Sequence, residues 1–219
     1  SGMRMEAKAH IVTCANDMAK NITKSVERCG LKVDDLVFSG IASADSVLTN
    51  DEKDLGVCIV DIGGGTTDIA VYTNGALRHC AVIPVAGNQV TSDIAKIFRT
   101  PLTHAEQIKV QFASARSSTV SREDSIEVPS VGGRPSRSMS RHTLAEVVEP
   151  RYQELFELVL KQLQDSGLLQ GLYLPEERHR YRVPLKLQKQ PLVCQFVLPL
   201  RYQLKDYTNM WINQSILPE

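Results

Sequence analysis

Several features that would narrow the function are missing from this sequence of 219 residues. Lys+Arg and Asp+Glu are both 25, so there is no net charge to attract nucleic acid or an anionic membrane over distance. No apolar run approaches the length of a membrane span, and no signal peptide opens the chain. The five cysteines (Cys14, Cys29, Cys58, Cys80, Cys194) form no CxxC pair and no ligand-like cluster with the five histidines, as expected of reduced thiols in a cytosolic protein. No internal repeat is present. "SGMRMEAKAH" has neither an initiating Met nor an N-terminal cap, so the chain is expected to start inside a longer gene product.

What is present is the rhythm of an α/β layer. Residues 6–14 read as a strand and 16–29 as a helix capped by Asn16, with Met18, Ile22, Val26 and Cys29 on one face and Gly30 closing it. "DDLVFSG" reads as a buried strand and "ASADSVLT" as a short helical connector. "GVCIVDI" is nearly all apolar, as expected of a strand covered on both faces, and "TDIAVYT" is its neighbour. Asn74-Gly75 is a strong hairpin signal, after which "ALRHCAVIPV" returns as a third strand. A helix over "GNQVTSDIAKIF" is expected to be capped by Thr91, and one over "THAEQIKVQFASA" to use Thr103 and Glu106 as a capping box. "SIEVPSV" reads as a strand followed by an irregular loop whose arginines (Arg134, Arg137, Arg141) are either a docking patch or simply solvated. A long helix from His142 is expected to be capped by Thr143, kinked or restarted at Pro150, and striped by Leu155, Leu158, Val159 and Leu163. After Gly167 prolines interrupt every element and neither period persists.

The chemistry concentrates at "DIGGGTT", residues 61–67. Gly63, Gly64 and Gly65 carry no Cβ, so successive backbone N–H groups can converge on one anion, and Thr66 and Thr67 add hydroxyl donors. Asp61 stands where a carboxylate can hold a hydrated Mg²⁺ or orient a water. The set suits the β/γ-phosphates of a nucleotide. It is not a Walker loop, since no Gly-Lys-Ser/Thr follows, and not a Rossmann fingerprint, since a strand follows. A glycine-rich turn without a ligand is the bland alternative.

"VDIGGGTTDIAVY" resembles the second phosphate loop of the actin, hexokinase and DnaK-type chaperone superfamily, in which such a hairpin cradles ATP phosphates. Together with "NDMAKNITKSVERCGLKVDDLVFSGIAS", "GALRHCAVIPVAGNQVTSDIA", "VPSVGGRP" and "TLAEVVEPRY", the chain from residue 1 to about 166 resembles the FtsA family of bacterial cell-division proteins. The resemblance implies a partial actin-like, ribonuclease-H-like α/β fold: a remnant of the first half over 1–50, a phosphate-loop subdomain over 51–100, a smaller helical and strand subdomain over 101–167, and an aberrant tail over 168–219. It implies an ATP-binding, Mg-dependent adaptor, at most a weak ATPase. Such a protein tethers the FtsZ ring, polymerises into actin-like filaments, and lies on the cytoplasmic face of the inner membrane at midcell through a C-terminal helix not found in this sequence. Carried over by residue, Gly63, Gly64, Gly65, Thr66 and Thr67 match the phosphate loop and Asp61 its metal-side carboxylate. "AEQIK" nominates Glu106 and Lys109 for ribose and adenine, and "TLAEVVEPRYQEL" nominates Arg151 and Glu154 for the C-terminal peptide of FtsZ. A DnaK-like or sugar-kinase-like ATPase sharing only the phosphate loop, or an assembly protein that has lost the site, are the other readings.

The first phosphate loop is absent, and so is the second adenosine loop expected after the long helix, so the fragment is expected to bind nucleotide poorly. Residues from about 168 onward are expected to be a frameshift product. Read from the third base of each codon, "LPEERH" (174–179) admits Thr-Gly-Gly-Thr-Ala, and an irregular, poorly packed tail follows from that reading.

Overall fold

The computed structural model describes residues 4–7, 9–130, 132 and 134–168, and the backbone of 194–199. Its centre is an antiparallel meander of β1 (Val57–Ile62), β2 (Thr67–Thr73) and β3 (Ala76–Ile83), in register from Ile62 opposite Thr67 to Val57 opposite Tyr72. All six β1 residues are buried, as the continuous apolar run implied. The β2–β3 turn places Asn74 and Gly75 both at positive φ (51° and 70°), the signature of the tight hairpin their sequence predicts. The amides of Asn74 and Gly75 donate to Asp54 and Lys53 carbonyls at the end of α3 (Asn50–Leu55), so the short helix braces the turn.

Each face of the meander has its own cover. On one face Val57, Ile59, Ala70 and Tyr72 pack against Ala44, Val47 and Leu48, from α2 (Ser39–Val47) and the residue after it. On the other, Cys58, Val60, Ile62, Ile69 and Val71 meet Leu155, Phe156, Val159 and Leu163 of α6 (Arg141–Asp165). A third cluster joins α4 (Gly87–Phe98), α5 (Leu102–Phe112), the ribbon of β4 (Ser125–Val128) with β5 (Arg137–Ser140), and the first turns of α6, around Ile94, Phe98, Leu144 and Val148. Fully burying such a side chain contributes about 1.5–3 kcal/mol. One helix, α6, therefore serves two cores.

Several expectations are corrected. Residues 9–15 form no strand, and α1 (Asn16–Glu27) starts after Ala15 with no side-chain cap and buries none of its residues. "DDLVFSG" is not a buried strand either: Leu36 and Val37 are exposed and α2 begins at Ser39. A strand needs a ladder partner, and no described residue pairs with either segment. Gly30 does take the left-handed φ of 77° expected of a helix terminus.

Thr91 is not the cap of α4, because the helix starts one turn earlier, and Gln89 Oε1 instead accepts from the Ala86 amide. α5 follows Pro101 with no side-chain cap, and Glu106 is drawn away to Lys109 and Thr91. Ser140, not Thr143, caps α6, and the helix passes through Pro150 without restarting. β5 emerges from the stretch read as irregular, and the arginines that open it and follow it close helix ends: Arg137 donates to Phe98 O and Arg141 Nε to Phe112 O at 2.9 Å.

The expected irregular tail falls largely outside the described residues. Within it, β6 (Cys194–Pro199) pairs antiparallel with β1, giving a sheet of order β3-β2-β1-β6, so at those six positions irregularity is corrected.

Candidate functional site: a glycine turn seated on a helix start

Gly63 to Thr66 close the β1–β2 hairpin, with the Gly63 amide donating to Thr66 O at 2.9 Å. Two carbonyls of the turn are taken up by α4: Gly87 N donates to Gly63 O at 3.1 Å and Asn88 N to Gly64 O at 2.8 Å. In a trans peptide the C=O and the following N–H point opposite ways. With the Gly63 and Gly64 carbonyls held towards α4, the N–H groups of Gly64 and Gly65 are turned away from it. Among the described residues neither these amides nor that of Thr66 has an acceptor, and Gly64, Gly65 and Thr66 are all exposed. Outward amides in succession are the concavity that receives an anion. A Cβ on Gly64 would meet the Asn88 carboxamide at 3.4 Å and 3.5 Å, whereas at Gly65 it would meet open space.

The hydroxyls divide. Thr66 faces solvent, while Thr67 is fully buried and its Oγ1 donates to Val85 O at 2.7 Å. The expectation of a second hydroxyl donor at the turn is corrected by that bond, because a hydroxyl has one hydrogen to give.

Asp61 is buried, and directly opposite it in the ladder stands Asp68, also buried. Both lie on the face covered by α2, where Ser43 Oγ donates to Asp61 and Ser39 Oγ to Asp68. Ser39 and Ser43 are one helical turn apart, which matches two carboxylates on adjacent strands. Asp68 was not singled out from the sequence. Counting outward from a turn at 63–66 pairs 62 with 67 and 61 with 68, so the hairpin itself carried the signal. No group of three His, Cys, Asp or Glu side chains suited to a metal occurs among the described residues. Two buried, hydroxyl-oriented carboxylates fit a Mg²⁺ that keeps most of its water shell, not a protein-caged ion.

Glu106 and Lys109, both on α5, reach the start of α4 on which the turn is seated. Lys109 Nζ lies 2.7 Å from Glu106 Oε2, 2.9 Å from Thr91 Oγ1 and 3.2 Å from Gly87 O. Desolvation alone would raise the Glu106 carboxyl. Hydrogen bonds from Lys109 and Thr91, with the Lys109 charge, outweigh it and hold the group below the usual carboxylate range.

Arg151 and Glu154 sit elsewhere, beside a groove of about 380 Å³ between α4 and α6 lined by Asp93, Ile97, Glu146, Val147 and Pro150. The guanidinium bonds Asp93 Oδ2 through Nε at 2.8 Å and Nη2 at 2.7 Å, and Glu154 through Nη1. The hydrogen bond to Asp93 leads the interactions that raise the Arg151 pKa further above its usual value. The groove is thus apolar along Ile97, Val147 and Pro150, with more acid than base on its rim.

A sequence model of the family described as "Cell division protein FtsA" matches residues 58–205, beyond half of the chain and past the break expected near 168. The chain belongs to the FtsA family. It is 65% identical over 175 residues to the FtsA of Escherichia coli K12, covering 78% of this chain and 42% of that protein. The FtsA of Pseudomonas aeruginosa is 60% identical over 167 residues, covering 76% and 40%. The chain thus spans about two fifths of the length of the curated FtsA relatives it matches. Among solved structures, MreB5 of Spiroplasma citri bound to ADP superposes with a TM-score of 0.57 at 22% identity, over 69% of this chain and 49% of that one. The same protein bound to AMPPNP gives 0.54 at 25%, over 69% and 48%. The fold is a partial actin-like one, and family membership removes the chaperone-like and sugar-kinase-like readings.

Proposed function

We propose that this chain carries the second phosphate loop and the FtsZ-docking subdomain of an ATP-binding cell-division protein that organises the FtsZ ring. The observation that carries the nucleotide part is the pair of outward amides at Gly64 and Gly65, produced by the seating of their neighbouring carbonyls on α4. The β/γ-phosphates take those amides, with that of Thr66 and its hydroxyl completing the turn. Gly63 and Thr67 shape the loop from within. Asp61, with Asp68, would hold a hydrated Mg²⁺, which when bound neutralises phosphate charge. Glu106 keeps Oε1 unbonded among the described residues and is the candidate for a ribose hydroxyl. Nucleotides bound to MreB5 in its solved structures support the ligand class.

The test is Mg·ATP calorimetry on a chain of full family length carrying these residues. Gly64→Val should abolish detectable binding, since its branched side chain presses on Asn88 and fills the phosphate space. Unchanged affinity overturns the assignment. The 219-residue chain itself should bind ATP far more weakly, because each lost charge-assisted hydrogen bond costs about 1.5–3 kcal/mol.

The C-terminal peptide of FtsZ is assigned to the α4–α6 groove, with Arg151 and Glu154 on its rim. Arg151→Glu should weaken peptide binding at least about tenfold, by setting a third carboxylate against Asp93 and Glu154. An unaffected affinity removes the groove from the reading. Filament assembly and attachment to the inner membrane at midcell are proposed for the whole protein.

A further inference from the structure

We propose that Lys109 is a positioning residue, whose ammonium locks the first turn of α4 beneath the glycine turn and thereby aims the Gly64 and Gly65 amides outward. The resemblance of "AEQIK" nominated it for contact with ribose or adenine. The hydrogen-bond inventory points elsewhere. An ammonium has three N–H donors, and three protein acceptors surround this one: Glu106 Oε2, Thr91 Oγ1 and Gly87 O. The side chain is only 17% exposed, so little of it is left for a ligand.

The consequence runs through Gly87. A Cβ there would meet Lys109 Nζ at 3.3 Å and Gly63 O at 3.4 Å, so the ammonium and the turn carbonyl converge on the same α-carbon. Lys109 holds the Gly87 carbonyl, the Gly87 amide holds Gly63 O, and the next amide, of Asn88, holds Gly64 O. Those two carbonyls fix the planes whose N–H groups face solvent. Removing the ammonium would take away the donor that Gly87 O and Thr91 Oγ1 share, which loosens that turn. The use of the aimed amides for phosphate rests on the function proposed above; the clamp does not.

The experiment is amide hydrogen exchange by NMR on the 219-residue chain, comparing wild type, Lys109→Met and Lys109→Arg. Gly87 and Asn88 amides should be protected in wild type and exchange at least about tenfold faster in Lys109→Met, with Ile94 and Phe98 unchanged. Lys109→Arg should recover most of the protection, because it restores a cation with several donors. Unchanged Gly87 and Asn88 exchange, or uniform acceleration through Ile94 and Phe98, overturns the proposal, the latter marking ordinary loosening of α4 on α5. Should Lys109→Met not fold, Lys109→Met with Glu106→Gln removes both charges and carries the same comparison. A parallel titration with inorganic pyrophosphate reads the Gly64, Gly65 and Thr66 amides. Shifts there that shrink in Lys109→Met support both steps. Local loss of protection without any pyrophosphate shift in wild type supports the clamp and sinks the phosphate reading.

Discussion

Residues 4–38 and residues 39–166 have similar sequence texture and opposite fates. The helix α1 carries Met18 and Ile22 on one face, yet both are more than half exposed and no residue of the helix is buried. In the second region Ile94 and Phe98, with the same i, i+4 spacing on α4, are fully buried. The difference is not propensity or amphipathicity. Ile94 and Phe98 face α5, β4 and α6, whereas α1 buries none of its residues and joins none of the three clusters. Periodicity states which face seeks burial, and only topology supplies the partner.

The sharpest way to break this contrast is thiol chemistry. Cys14 and Cys29 are exposed, while Cys58 is buried in β1 and its thiol is pushed up to about 12 by desolvation. Alkylation followed by mass spectrometry should modify Cys14 and Cys29 at least about a hundredfold faster than Cys58. Comparable rates would mean that the sheet does not bury its central strand. Next in size, Phe98→Ala should cost about 3–5 kcal/mol in urea unfolding, while Ile22→Ala should stay within about 0.5 kcal/mol. Equal losses would place α1 in a core.

Gly75 and Gly30 sharpen the comparison at one residue type. Both have positive φ, but a Cβ at Gly75 meets Asp54 Oδ1 at 2.7 Å, while at Gly30 it meets nothing. Gly75→Ala should therefore destabilise by about 1–2 kcal/mol, and Gly30→Ala by less, confined to fraying of α1 and visible by helical circular dichroism. The smallest effect concerns acid. Because the folded Glu106 carboxyl lies below its ordinary value, its contribution is present above the unfolded value and is lost as pH falls through the folded one. Glu106→Gln should flatten that part of a stability-against-pH curve in mild acid, and an unchanged profile would remove the link to Lys109.

The meander was legible because its cues are local: an apolar run for β1, a turn of three glycines, and Asn-Gly for the second corner. That residues 63–66 form the first corner was legible for the same reason. The orientation of its amides was not, since it depends on Gly87 and Asn88, more than twenty residues away. Caps failed for separate reasons: α4 starts a turn before Thr91, Ser140 caps α6 ahead of Thr143, and Glu106 turned to Lys109 and Thr91, not to its helix start. Segments 6–14 and 34–40 read as strands because pattern alone cannot reveal a missing ladder partner. For the tail, the codons of residues 174–179 decide between a shifted frame and a divergent extension.

Pro150 lies on α6 between Val148, which belongs to the cluster of α4 and α5, and Leu155, which belongs to the cluster under the sheet. Its ring removes one rung from the helical ladder where the shared helix passes from one core to the other. Tyr152 packs against both clusters at the same level. A beam notched at mid-span flexes at the notch, and this notch also lines the groove flanked by Arg151 and Glu154. Whatever fills that groove acts as a splint, stiffening the joint between the central sheet and the cluster of α4 and α5.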